Sequence, residues 1–279
     1  MRGIFCLLLC LSFFPALADE GDRMVDARQS GVAELRVLYV ESPGWAWRDD
    51  DGRLTGVTVE IMRWFAEDLR DWYGFEVNLE FVEETDWTRF YNRVRDGSGG
   101  VFGLGNVTIT EERAEELAFS SPYVSNVAVL ISSEGMPRAT GPEVVADKFD
   151  GLRGLAFAGT LHETRLERLR ENHWPALEID SAESNDEIIE NVAAGTHFGW
   201  IDGYNFYRAR SEGHPLRRHS AFDDTGEEFG IIMPLDNDWR DAMDDFFTRD
   251  GGLIHSDRYR QLLVEHLGKA VATLLTSEK

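Results

Sequence analysis

The chain has 279 residues, 43% of them hydrophobic, and carries 51 Asp and Glu against 28 Lys and Arg, a formal net charge of −23. The apolar content supports a real core and the length allows one large or two ordinary domains, while the acid excess excludes nucleic acid and anionic lipid as partners, since both need a basic footprint. Eight Trp exclude an acidic disordered tail, and two cysteines leave little room for a disulfide framework or a thiolate metal site.

Arg2 precedes an unbroken apolar run from Gly3 to Leu11 and an Ala16-x-Ala18 step. Residues 1–18 therefore read as a cleavable secretory signal. The run is too short to span a bilayer with ease, and no later stretch reaches the ~20 apolar residues of a membrane helix. Cys6 and Cys10 leave with the signal, so the mature chain has no thiol, suits an oxidising compartment and is not expected to insert into a membrane.

Residues 19–33 are polar and without period, which predicts a loose arm. From there β-rich runs alternate with amphipathic segments. Leu35–Val40 reads as a strand, Asp49–Gly52 as a turn, and 60–69 as a helix with Ile61, Met62, Phe65 and Leu69 on one face. Strands are predicted at 75–81, 101–107 and 127–131, and a helix at 87–95 with Phe90, Tyr91 and Val94 inward. The pattern then restarts: a strand at 152–157, and a helix opened by the capping box Thr160-x-x-Glu163 and running to about 171. A second box, Ser184-x-x-Glu187, opens a helix that stops at Gly195. Strands follow at 198–201 and 229–233, then helices at 239–247 and 257–267, with Gly268 as the stop. Such alternation implies α/β with mostly parallel sheets, and the restart near residue 150 implies two lobes.

Several motifs carry no chemistry. Asp49, Asp50, Asp51 and Gly52 lack the spacing and closing Glu of a calcium loop. The glycines at 97, 99, 100, 103 and 105 have no Gly-Lys-Ser/Thr after them and read as close packing. The seven histidines are dispersed, which opposes a zinc site. Asn106-Val-Thr108 fits a glycosylation acceptor, but it sits at a buried-looking strand end. No Gly-x-Ser-x-Gly elbow exists, so hydrolase chemistry finds no nucleophile and no catalytic residue is expected.

One stretch is different. At Thr108-Ile-Thr-Glu-Glu-Arg113 a strand ends in hydroxyl residues, Thr110 can cap the next helix, and Arg113 falls in its first turn, where a cation opposes the helix dipole. Arg113 is either a solvated residue or one kept to hold an anion. This run, with Phe119-Ser-Ser-Pro-Tyr123 after it, resembles the signature of the family 3 bacterial extracellular solute-binding proteins, which bind amino acids. The resemblance extends from about Leu35 to Gly268 and takes in Leu54-Thr-Gly56, Trp87, Ala158-Gly-Thr160, Ala194-Gly195, Trp200-Ile-Asp202 and Phe229-Gly230.

The resemblance implies a two-lobed periplasmic-binding-protein fold, with two mixed sheets flanked by helices and joined by two hinge strands near 125–131 and 228–234. Lobe 1 would be residues 34–126 plus 231–279, and lobe 2 residues 127–230. It implies that Arg113 pairs with a ligand carboxylate, aided by Thr108, Asn106 and the Thr160 helix turn. Asp202 would accept the ligand ammonium, and Trp87 with Trp45 or Trp47 would sandwich its aliphatic part. It further implies a monomer in the periplasm that needs no cofactor and hands a small amino-acid-like ligand to an ABC transporter permease. Departures from the family pattern are Leu161, where Ser or Thr is usual, and Thr58, Gly100 and His197, where Asp is frequent. The alternatives are a cyclohexadienyl dehydratase-like enzyme, with Glu163 as proton donor, and a sensor docking on a membrane receptor. A lytic transglycosylase is not expected, because the sequence ends directly after the second lobe.

Overall fold

The computed structural model describes residues 19–276; the signal expected at 1–18 lies outside the described residues. In chain order the elements are α1 Met24–Ser30, β1 Val32–Tyr39, β2 Trp47–Arg48, β3 Leu54–Thr55, α2 Val57–Tyr73, β4 Glu76–Glu83, α3 Trp87–Arg95, β5 Val101–Thr108, α4 Glu111–Ala114, β6 Ala118–Phe119 and β7 Val124–Ser133. The second series comprises α5 Val145–Lys148, β8 Arg153–Phe157, α6 Leu161–Asn172, β9 Ile179–Ala182, α7 Asn185–Ala193, β10 His197–Asp202, α8 Gly203–Ser211, β11 Leu216–Arg218 and β12 Asp224–Met233, followed by α9 Arg240–Thr248 and α10 Asp257–Thr276.

The two sheets are continuous. Strand order is β4-β1-β5-β12-β7-β10-β8-β9, with β6 and β11 attached to β12 and β7. β4, β1 and β5 run parallel, as do β10, β8 and β9. Between these triplets β7 and β12 lie antiparallel, Phe229 opposite Val124 and Asp224 opposite Ala128. Each of the two therefore starts on one half of the molecule and finishes on the other, and chemistry placed beside them is shared by both lobes.

Apolar spacing decides which faces are covered. α2 buries Ile61, Met62, Phe65 and Leu69 at helical period, joining a core with Phe102, Phe246 and Trp239 on one side of the first parallel triplet. α3 closes the other side with Phe90 and Val94. Only glycine fits beneath it: a Cβ on Gly105 would stand 2.5 Å from the Phe90 ring, and one on Gly103 2.7 Å from Val94. The glycine run is thus a packing device. The second lobe has a core around Phe149, Phe198 and Trp200 and another around Ile131, Ile188 and Phe206. Each of these fully buried side chains contributes about 1.5–3 kcal/mol.

The structure corrects several expectations. Residues 19–33 are not a loose arm: Met24 and Ala27 are buried, Gly31 closes α1 at φ 80°, and β1 starts at Val32. Their anchor is non-local, since Asp19 accepts two hydrogen bonds of 2.8 Å from Arg93. Helix α8 was not foreseen; its apolar residues Tyr204, Phe206 and Ala209 carry no clear single-face period. Gly268 does break helix geometry at φ 77°, yet helical residues resume and run on to Thr276. The Thr160 box does not form: Glu163 accepts from the Gly159 N–H at 2.8 Å, one residue before the cap, and the Thr160 hydroxyl turns back to the Phe157 carbonyl at 2.7 Å. The Ser184 box is half formed, with the Glu187 N–H donating to Ser184 Oγ at 3.1 Å while the Glu187 carboxylate accepts from the Glu183 N–H.

Candidate ligand-binding cleft

Arg113 is positioned by the strand end that precedes it. Thr110 caps α4, its Oγ1 accepting from the Arg113 N–H at 3.1 Å, and this aims the side chain back along β5. The guanidinium donates to the Thr108 carbonyl at 3.1 Å and lies over the rings of Trp87 and Tyr91, 5.2 and 5.8 Å from their centroids. Among the described residues no carboxylate comes within 4.0 Å of it. Burial lowers its pKa from the ordinary arginine value, the one direction that marks a cation short of counter-charge. Cation–π contacts offset part of that deficit, and an anion would remove the rest.

Across the cleft stands Asp202, at the end of β10 and the N-cap position of α8. A side chain there ordinarily bonds the helix's first N–H groups; this one makes no cap bond. It accepts instead from Asn126 Nδ2 at 2.6 Å, and His162 Nε2 lies 3.4 Å away. The same Asn126 amide donates to Glu227 at 2.8 Å, Glu227 pairs with Arg165, and Arg165 reaches His162 Nδ1 at 3.2 Å. Arg165 can only donate, so His162 Nδ1 is the acceptor in that contact. Five side chains thus form a ring joining β7, β12, β10 and α6, four of its links hydrogen bonds and the fifth the 3.4 Å approach of His162 to Asp202. It locks the Asp202 carboxylate, with one oxygen engaged by Asn126, at the seam where both crossing strands meet the second lobe.

The structure brings Arg113, Asp202, Thr108, Asn106, Trp87 and Thr160 around one cavity of about 60 Å³, together with Ser42, Leu161, His162, Asn185 and Tyr204. Asn106 adopts a left-handed φ of 50°, accepts from the Tyr123 hydroxyl at 2.8 Å and donates to the Tyr204 hydroxyl at 2.9 Å. Both ends of its amide are occupied within the protein, so it braces Tyr204 at the cavity wall. Trp87 stacks on Tyr91 and presents its other face to the cleft. Trp45 is buried against Tyr123 and Tyr204, at 5.7 and 5.2 Å, and neither it nor the half-buried Trp47 lines the cleft. Glu163 also lines none of it, its carboxylate being spent on the Gly159 N–H. A larger cavity, about 710 Å³, lies elsewhere, beside the crossing strands and α10, and of the residues that line the cleft it shares only Tyr204.

Sequence reasoning missed His162, Asn126, Tyr204 and the Arg165–Glu227 pair. His162 and Arg165 sit three apart on one helix face, a legible signal; Asn126 and Glu227 meet only because two strands 101 residues apart pair. Among the described residues no cluster of three or more His, Cys, Asp or Glu could hold a metal ion, and no helix is long and apolar enough to cross a membrane.

The chain is 26% identical over 186 residues to the membrane-bound lytic murein transglycosylase F of Pseudomonas putida, a match covering 67% of this chain and 34% of that protein. It therefore spans about a third of the length of the first curated relatives it matches. It is 30% identical over 159 residues to the L-cystine-binding protein TcyJ of Escherichia coli, covering 56% of this chain and 53% of that one. Among solved structures, an ArgBP mutant from T. maritima superposes with a TM-score of 0.69 at 18% identity, covering 88% of this chain and 99% of the other, which shows the fold. The family model of the bacterial extracellular solute-binding proteins, family 3, matches residues 35–269, and the chain belongs to that family.

Proposed function

We propose that this protein is a periplasmic solute-binding protein that captures a small amino-acid-like zwitterion between its lobes and delivers it to an ABC transporter permease. The observation that carries the reading is the pairing of opposites across the cleft: a guanidinium without a carboxylate partner on one lobe and a carboxylate fixed by a side-chain ring on the other. In this reading Arg113 holds the ligand carboxylate, Asp202 accepts the ammonium, and Trp87 covers the aliphatic part. Thr108 and Thr160 border the carboxylate, while Asn106 keeps the Tyr204 hydroxyl in place. The lobes are residues 34–126 plus 231–279 and residues 127–230, and the leader is residues 1–18. Only the closed form satisfies both charged ends of the ligand, so the ligand favours closure by its differential affinity for that form. The match to the family and to a cystine-binding relative supports amino-acid-like chemistry.

A second reading, a ligand-sensing module that docks on a membrane partner, is favoured by the match to one third of a membrane-bound transglycosylase. Both readings require the same cleft. Calorimetry with a panel of L-amino acids tests it on the native protein and on Asp202→Asn. A ligand bound by the native protein should lose at least tenfold in affinity on Asp202→Asn; equal affinity in the two overturns the assignment of the ammonium site.

A further inference from the structure

The chamber between Arg113 and Asp202 is not the end of the cleft. Arg113, Trp87, Thr108, Thr160 and Leu161 line a second cavity as well, on the far side of the guanidinium, and its volume is about 640 Å³. The inner chamber, about 60 Å³, falls well below the roughly 300–1,000 Å³ of ordinary ligand sites, whereas the outer one lies inside that range. Arg113 therefore borders both a small chamber and a large one.

The charges of the outer chamber sort by pairing. Arg165 is held by Asp224 at 2.6 Å and by Glu227. Glu116 accepts from the Tyr91 hydroxyl at 2.6 Å and lies 3.6 Å from Arg95. Glu112 is exposed at the rim. Arg168, one turn along α6 from Thr164, also lines this chamber and has no carboxylate within ion-pair distance among the described residues. Two guanidiniums without acidic partners thus border one cavity, in a chain with 51 acidic and 28 basic residues. The rest of the wall offers the polar groups of Thr88, Thr110 and Thr164, which suit amide hydrogen bonding.

We propose that the ligand is a short peptide of about two or three residues lying across Arg113. Its N-terminal residue enters the inner chamber with the ammonium on Asp202. Its first carbonyl accepts from Arg113 in the place where a free amino acid would set its carboxylate, and its C-terminal carboxylate reaches Arg168 in the outer chamber. The proposal rests on the cleft being the ligand site, as argued above, and extends it by naming the ligand class. A free amino acid satisfies the two inner charges and leaves the outer chamber and Arg168 to water. A peptide uses both.

The test is calorimetry on the native protein with each L-amino acid and the dipeptide that carries it at the N-terminus followed by alanine. The best dipeptide should bind at least tenfold tighter than its own N-terminal amino acid. Amidating its C-terminus should reduce affinity about three- to tenfold, the range of an exposed charge pair, and Arg168→Ala should do the same. The two changes together should cost no more than either alone. An amino acid that binds as tightly as its dipeptide, or an amidated peptide that binds as tightly as the free acid, overturns the peptide assignment and leaves the zwitterion cleft standing. Binding of neither series overturns both.

Discussion

Two arginines of the first lobe are held in opposite ways, at Arg93 on its base and at Arg113 on its cleft edge. Arg93 is clamped by carboxylates: Asp19 accepts from it twice at 2.8 Å, and Glu84 accepts at 3.2 Å while also paired with Arg89. The Glu84 carboxyl is held down at about 2, first by the hydrogen bond from Arg89. Arg113 has aromatic rings and one carbonyl around it and, among the described residues, no carboxylate within 4.0 Å; Glu227, Glu112 and Glu116 act on it only from further away. One guanidinium is finished within the protein, and the other is complete only with something added. A partly buried charge left short of its counter-ion is costly, and the proposed ligand would supply what Arg113 lacks.

The predictions sharpen that contrast. Arg113→Ala should lower ligand affinity at least a hundredfold, about 3 kcal/mol, as expected when a charged group that hydrogen-bonds the ligand is truncated. Arg93→Ala should act on folding instead, costing about 2 kcal/mol by leaving the nearly buried Asp19 and Glu84 short of a partner, with ligand affinity of the folded protein unchanged. Chemical denaturation and calorimetry on the same two variants separate these effects. A third region supplies a control remote from both. His219 is buried, accepts from the Ala139 N–H on Nδ1 and faces Ser132 on Nε2, and burial lowers its pKa from the usual 6.5 to about 4. Its neutral form belongs to the folded state, so this stability is complete above pH 6.5 and is lost as pH falls toward 4. Between pH 7 and 5 the loss should be about 2 kcal/mol, and His219→Gln should flatten that part of the profile. The smallest effect is expected at the ring: Glu227→Gln weakens the hold on Arg165 and loosens Asp202, reducing affinity about three- to tenfold, or roughly 1 kcal/mol.

Much of this was legible in the sequence, for identifiable reasons. Helix α3 was read at its observed limits because Trp87, Phe90, Tyr91 and Val94 repeat at helical spacing. Arg113 stood out because a cation in a first turn breaks a local electrostatic rule, whereas Asp202 was marked only by the family resemblance. What escaped was set by contacts distant in the chain. The Asp19 clamp that orders the N-terminal segment reaches 74 residues ahead, and the Asn126–Glu227 contact spans 101. The resemblance also marked Trp45 and Trp47 as partners of Trp87. Trp45 instead packs against Tyr204, so it supports the cavity wall from behind.

The central claim is that Arg113 is kept for the ligand and contributes nothing the fold needs. Thermal denaturation of the native protein and Arg113→Ala, each with and without a saturating ligand, tests it most directly. The unliganded variant should melt at or slightly above the native temperature, since it sheds a buried cation, and the ligand should raise the melting point of the native protein alone. An unliganded variant that melts several degrees lower, or one that keeps the full ligand-induced rise, would contradict the account.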